Sequence, residues 1–214
     1  MKHEKAVAMI ALFFEVTPRP GQENQYLDIA SALRSELEVS GGVLFLDRYK
    51  SYARPRTLLS HQIWADEASL VRWRANSKHH IAQTAGRNSV FEDYRIRVGV
   101  VIAEGGEGGG VVPQMEGIPY NDPLLQPERF VMVVRSHTKP VPAADDGETF
   151  ESVYRPNEFA WVGDISDRQT GYDALRRVAE SDYVSAAQLC LVSRDYGFHH
   201  RREAPQYFPE AAQG

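Results

Sequence analysis

A single cysteine, Cys190, stands among the 214 residues, which excludes an internal disulfide and any metal site built from several cysteines. Set in the apolar run AQLCLVS, it reads as a small buried hydrophobe. Positive charge is not in excess: 24 Lys and Arg against 29 Asp and Glu leave −5 at pH 7, and the basic patch or stripe of a nucleic-acid or membrane-surface binder is missing. No stretch approaches the roughly 20 consecutive apolar residues of a membrane span. Early lysines and an apolar run invite comparison with a signal peptide. Glu15 and Pro18 interrupt that run, however, and no small-residue cleavage site follows, so the first strand of a cytoplasmic protein is expected.

What is present is an alternation of apolar runs and amphipathic stretches. Residues 6–16 are almost wholly apolar and end at TPRPG, as expected of a strand covered on both faces. Over residues 22–39, Tyr26, Ile29, Ala30, Leu33 and Leu37 recur at helical spacing until Gly41 and Gly42 stop the pattern, which predicts one amphipathic helix. GVLFLDRYKSY and TLLSHQIW follow as a hairpin around the turn ARPR, where Pro55 restricts the backbone. Asp66 is placed to cap a helix carrying Ala68, Leu70, Val71 and Trp73, and ANS at 75–77 is able to break or re-cap it before KHHIAQTAG. DYRIRVGVVIA completes the order βαββαβ, a ferredoxin-like unit with helices on one face of an antiparallel sheet. A second sheet is expected against the other face.

Residues 104–127 are rich in glycine and then in proline, as in a linker, and GGEGGG matches neither GxGxxG nor a P-loop. Beyond them RFVMVVRS, FESVYRPNEFAWVGDIS, DRQTGYDALRRVAES and DYVSAAQLCLVS repeat the strand, hairpin, helix and strand of the first half. Ser51, Arg54 and Pro55 align with Ser152, Arg155 and Pro156 at a constant offset of 101, which also carries Asp66 onto Asp167. Between first strand and hairpin the second copy is 18 residues shorter, one helix's worth, and HTKPVPAADDGET in that place is too rich in proline and small polar residues for a regular helix. The expected fold is α+β: a domain at 1–103, a linker at 104–127 and a degenerate copy with a tail at 128–214, the two sheets facing each other like a dimer fused into one chain.

FEVTPRPGQENQYLDIASALR, LSHQIWADEASLVRWRANSKHHIAQTAGR and FEDYRIRV resemble the antibiotic biosynthesis monooxygenase family of dimeric α/β-barrel proteins. The family pattern runs from a strand-ending tryptophan and an acidic-capped helix through WR, a histidine, AQ and GR to DYR. It falls here on Trp64, Asp66, Trp73, Arg74, His79, Gln83, Gly86, Arg87 and 93–95. The likeness spans residues 6–102, and RDYGFHHRREAP at 194–205 resembles the tail of single-domain members. It implies a tandem two-copy member folded as a pseudo-dimeric α/β barrel, related to oxygenases that use no cofactor, to haem-degrading enzymes and to members without known activity.

The second copy has Ala174 opposite Trp73, and Glu180 and Ser181 opposite His79 and His80, so a site with histidine and tryptophan belongs to the first copy while the second closes the barrel. A cofactor-free oxygenase removes a proton from an electron-rich phenol or anthrone, so that the carbanion gives electrons directly to O2. Such an enzyme needs a base, an apolar pocket and donors for the developing oxyanion. His79, His80 and His61 are the candidate bases, and Trp73, Trp64 and Tyr94 the candidate substrate contacts. On a helix continuous from Leu70, Ile81 shares the buried face, His80 lies at its margin and His79 points largely to solvent; it is the family position that favours His79. Alternation along LLSHQIW puts Leu59, His61 and Ile63 on one face and Ser60, Gln62 and Trp64 on the other, and relatives often carry leucine at position 61. The HH pairs at 79 and 199 point their rings apart and have no carboxylate at ligand spacing, so no metal site is expected.

These residues lead to a small oxygenase acting on an aromatic phenolic or quinone-type, polyketide-like metabolite with O2, without metal or flavin of its own. A haem-binding or haem-degrading enzyme of the same fold would want an axial histidine where Gln83 stands. A third reading is a non-catalytic small-molecule binder or an interaction protein that docks through the sheet face left bare by the missing helix. A self-contained pseudo-dimer implies a monomer, and a bare face implies further association.

Overall fold

The computed structural model describes residues 9–106, 109–113, 128–140, 143–144 and 146–205. The start of the first expected strand and most of the expected linker lie outside the described residues. The first copy runs β1 (Ile10–Pro18), α1 (Glu23–Ala32), α2 (Arg34–Ser40), β2 (Val43–Ser51), β3 (Leu58–Trp64), α3 (Glu67–Ala75), α4 (Ser77–Ala85), a π-helical turn (Gly86–Val90) and β4 (Phe91–Gly106). A short β5 (Gly109–Pro113) folds back on the end of β4. Residues 104–106 and 109–113 of the glycine-rich segment are therefore strand. The second copy is β6 (Phe130–Ser136), β7 (Gly147–Ser152), β8 (Phe159–Ile165), α5 (Arg168–Ala179) and β9 (Val184–Gly197).

The strand order β1-β3-β2-β7-β8-β6-β9-β4, closed by β1 against β4, is an antiparallel barrel of two ferredoxin-like sheets. The copies join edge to edge twice, through β2 with β7 and through β4 with β9, so neither sheet keeps a free edge at these seams. Pairing at the edges, rather than stacking alone, is how the expected facing sheets meet. The offset of 101 is kept in detail. Ser51 and Ser152 each accept two backbone N–H bonds within their hairpin turns, and Arg56 and Asn157 take positive φ of 66° and 63°. Arg54 reaches across to Glu148 on β7, and Arg155 reaches back to Asp47 on β2 at 2.7 Å. These are reciprocal contacts, as across a two-fold dimer interface.

The barrel interior is filled by inward side chains of both copies, among them Phe13, Tyr49, Ile63, Val133, Phe150 and Cys190. Cys190 is fully buried, and burial pushes its thiol pKa up. The outer faces are covered by helices: Asp66 and Asp167 cap α3 and α5 by accepting from the N–H groups of Ser69 and Thr170. In the second copy no helix stands between β6 and β7 among the described residues. The sheet there is nevertheless not bare. Trp161 is fully buried over Gly147 and Gly163, where an added Cβ would meet its ring at 2.2 and 2.4 Å, and Ala143 packs into the same core. This corrects the expectation of a bare face: an indole replaces the absent helix. The helix predicted over 22–39 is also divided, into α1 and α2 at Leu33. Among the described residues no helix is long and apolar enough to cross a membrane.

Candidate functional site

A cavity of about 420 Å³ opens between the outer face of the first sheet and helices α1 to α4. Alternation on the strands builds its floor: Leu12 and Phe14 from β1, Ser60 and Gln62 from β3, Ile96 and Val98 from β4. Tyr26, Ile29, Leu37 and Trp73 bring apolar surface from above.

The position of His79 depends on one residue. Asn76 leaves helical geometry, with φ −62° and ψ 129°, and its side-chain oxygen accepts from the N–H groups of Lys78 and His79. That cap ends α3 and starts α4 in a new phase. The continuous helix of the sequence reading is therefore replaced by two. Ile81, expected in the core, is 68% exposed, while His79 turns inward and lies flat on Trp73 with ring centroids 4.3 Å apart. Its Nδ1 lies 3.0 Å from the Trp73 carbonyl oxygen, which assigns the neutral tautomer in which Nδ1–H donates and Nε2 keeps its lone pair. Burial holds the His79 pKa down at about 4, helped by His80 and opposed by the Trp73 carbonyl. His80 is exposed and also lines the cavity. Gln83, where a haem reading wants a histidine, lines it as well, and its amide oxygen is buried with no hydrogen-bond partner among the described residues.

Two expected site residues stand elsewhere. His61 points into the barrel, on the far side of the sheet from the cavity. There it is fully buried, stacked on Phe13 at 4.7 Å, with Nδ1 3.4 Å from the Leu12 carbonyl and Nε2 without a partner among the described residues. Burial drives its pKa down to about 3, aided by the charge of Arg135 and opposed by the Leu12 carbonyl. Trp64 is on the cavity side of β3 but lies fully buried in the core, where its Nε1–H donates to the Gln62 side chain at 3.0 Å. It positions a wall residue and is not itself part of the wall. Tyr94, by contrast, lines the cavity among Phe14, Phe91 and Phe198, and its hydroxyl accepts from Arg201 Nη1 at 2.8 Å.

The second copy does more than close the barrel. The register of β4 with β9 sets Tyr196 beside Ile96 and Arg194 beside Val98, which puts both on the cavity face, and Arg201 follows from the tail. All three lie in RDYGFHHRREAP, the run that resembles the family tail, though nothing in it singles them out as wall residues. The wall carries six arginines, Arg34, Arg48, Arg74, Arg87, Arg194 and Arg201, and no aspartate or glutamate, although the chain as a whole is negative. Among the described residues, no three or more His, Cys, Asp or Glu side chains gather as a metal would need.

A family profile described as antibiotic biosynthesis monooxygenase matches residues 9–85. A Pyricularia oryzae protein named jasmonate monooxygenase ABM is 36% identical over 224 residues, covering 95% of this chain and 100% of its own. Among solved structures, Fusobacterium nucleatum FN1347 is 12% identical over 88% of this chain and 93% of its own, with a TM-score of 0.43. Pseudomonas aeruginosa PA3566 is 18% identical over 44% of this chain and 94% of its own, with a TM-score of 0.39.

Proposed function

The chain belongs to the antibiotic biosynthesis monooxygenase family, and on that premise we propose that it is a small monooxygenase that oxidises an apolar, ring-bearing metabolite with O2 in the cavity of its first copy. The observation that carries the proposal is the neutral His79, stacked on Trp73 with Nε2 available at the wall of a cavity that also presents aromatic and aliphatic surface. Trp73, Phe14 and Phe91 provide flat contact for a ring, and Ser60, Gln62 and Gln83 provide polar contact for its oxygens.

In this reading His79 takes a proton from an activated methylene of a phenolic or quinone-type substrate. The carbanion delivers electrons to O2 and a C–O bond forms. Loss of water then leaves a carbonyl: the methylene gives up four electrons and O2 takes four, so no other reductant and no metal or flavin is needed. An imidazole with its pKa held near 4 is a weak base. It strengthens as the substrate anion forms beside it, because an adjacent negative charge favours the imidazolium. The wall arginines face the developing oxyanion.

The test is oxygen uptake with an anthrone such as dithranol, with jasmonate, the compound in the Pyricularia relative's name, assayed beside it. One atom of ¹⁸O from ¹⁸O2 is expected in each product molecule, and His79→Ala is expected to lower turnover about 100-fold or more. Parent-level turnover in both His79→Ala and His80→Ala would remove the histidine base.

A further inference from the structure

We propose that the basic end of the cavity, built by Arg87 and Tyr94 of the first copy and Arg201 of the tail, binds the carboxylate of a small apolar acid; this rests on the reading that the cavity is the substrate site. Three observations converge on it. The first is charge: six arginines line the cavity without one lining carboxylate, in a chain whose net charge is −5. Arg194 is paired with Glu67 at 2.8 Å and Arg34 with Glu38 at 3.2 Å, and neither carboxylate belongs to the wall itself. A cavity this basic favours an anion over a neutral molecule of the same shape.

The second is geometry. Arg201 Nη1 donates to the Tyr94 hydroxyl at 2.8 Å, and the phenol is only 7% exposed. With its oxygen accepting from the guanidinium, the Tyr94 O–H is left to donate, and no acceptor takes it among the described residues. A carboxylate oxygen is the group that accepts from a phenol and a guanidinium together. The third is the crowding of like charge. The field of Arg201 reaches Arg87, where it adds to the effect of burial, while Tyr94 opposes both. An anion between the two guanidiniums relieves that repulsion.

Leu12, Phe14, Leu37, Trp73, Ile96 and other apolar side chains make most of the remaining wall, and about 420 Å³ is within the range of small-ligand sites. The ligand is therefore a compact hydrophobic body ending in an acid. The tail beyond the second copy thus becomes a specificity-determining part of the first copy's site.

The experiment compares 1-naphthaleneacetate with 1-naphthaleneacetamide, which share a ring and a shape and differ in charge, by calorimetric titration of the full chain. The acid is expected to bind about 10-fold or more tightly than the amide at low salt, as a charged hydrogen-bonded pair provides. In Arg201→Gln and in Arg87→Gln, made separately so that poor folding of one leaves the other readable, the gap should shrink to about 2-fold with amide affinity unchanged. Equal binding of acid and amide to the parent, a gap that survives both substitutions, or binding of neither compound would overturn the proposal. Because binding is read without turnover, the two readings fail separately. A parent that prefers the acid yet oxidises nothing removes only the monooxygenase reading, and one that oxidises dithranol but does not discriminate acid from amide removes only this one.

Discussion

His61→Leu is expected to leave activity in place and to make the protein resist acid better. The imidazole is fully buried between Phe13 and Phe45, and its pKa is pressed down to about 3, against 6.5 for the ordinary group. The sign follows from which state binds the proton. Above pH 6.5 both states hold it neutral and nothing is lost. Below pH 6.5 the unfolded chain takes a proton that the folded chain refuses, so stability falls progressively until pH nears 3. At pH 5, one and a half units below the unfolded pKa, the loss is about 2 kcal/mol. Its register partner Asp47 is engaged with Arg155, and Arg135 adds positive charge nearby, so among the described residues no free carboxylate is positioned to reverse the effect. Leucine fills a similar volume, removes the unpartnered Nε2 and cannot titrate. Urea unfolding at pH 7 and pH 5 measures the difference. The loss on going from pH 7 to pH 5 should be about 2 kcal/mol smaller in the variant than in the parent. An equal loss in both would refute the assignment of this titration to His61, and a collapse of turnover in the variant would refute its placement outside the site.

Asn76→Ala removes the cap of α4 and should cost about 1 kcal/mol in thermal unfolding; because His79 sits in that first turn, turnover should fall more than stability accounts for. Arg155→Ala strands Asp47, whose side chain is 3% exposed, at about 1 to 2 kcal/mol in urea unfolding, discounted because the guanidinium is itself half-exposed; Asp47→Asn in the same chain should recover part of it. Light scattering should give a monomer near 24.1 kDa, since both seams that a dimer would form between chains are closed within this one.

Local jobs are what made half of this molecule readable from its residues. Ser51 and Ser152, and Asp66 and Asp167, each act within a few residues of their own turn or cap, and Arg54 and Arg155 make the same reciprocal contact across the seam, so their identities survive in the alignment of the copies and report the repeat. Alternation on β3 likewise separated Ser60 and Gln62 from His61 correctly, though it could not say which face was wall and which was barrel interior. The placement of His79 required knowing that Asn76 breaks the helix, since a restart shifts every later side chain by an angle that spacing alone does not carry. Arg194, Tyr196 and Arg201 were out of reach for a further reason. They join the site through the pairing of β9 with β4, about 100 residues away in sequence, and although RDYGFHHRREAP resembles the family tail, nothing local in it says which sheet it packs on. The charge of the cavity is the extreme case. It is gathered from helices, strands and tail of both copies, so an overall acidic chain can hold a basic pocket, and only the closed barrel brings those charges to one wall. A second copy stripped of its first helix is then not a remnant. Its last strand and tail complete the wall that the first copy leaves open.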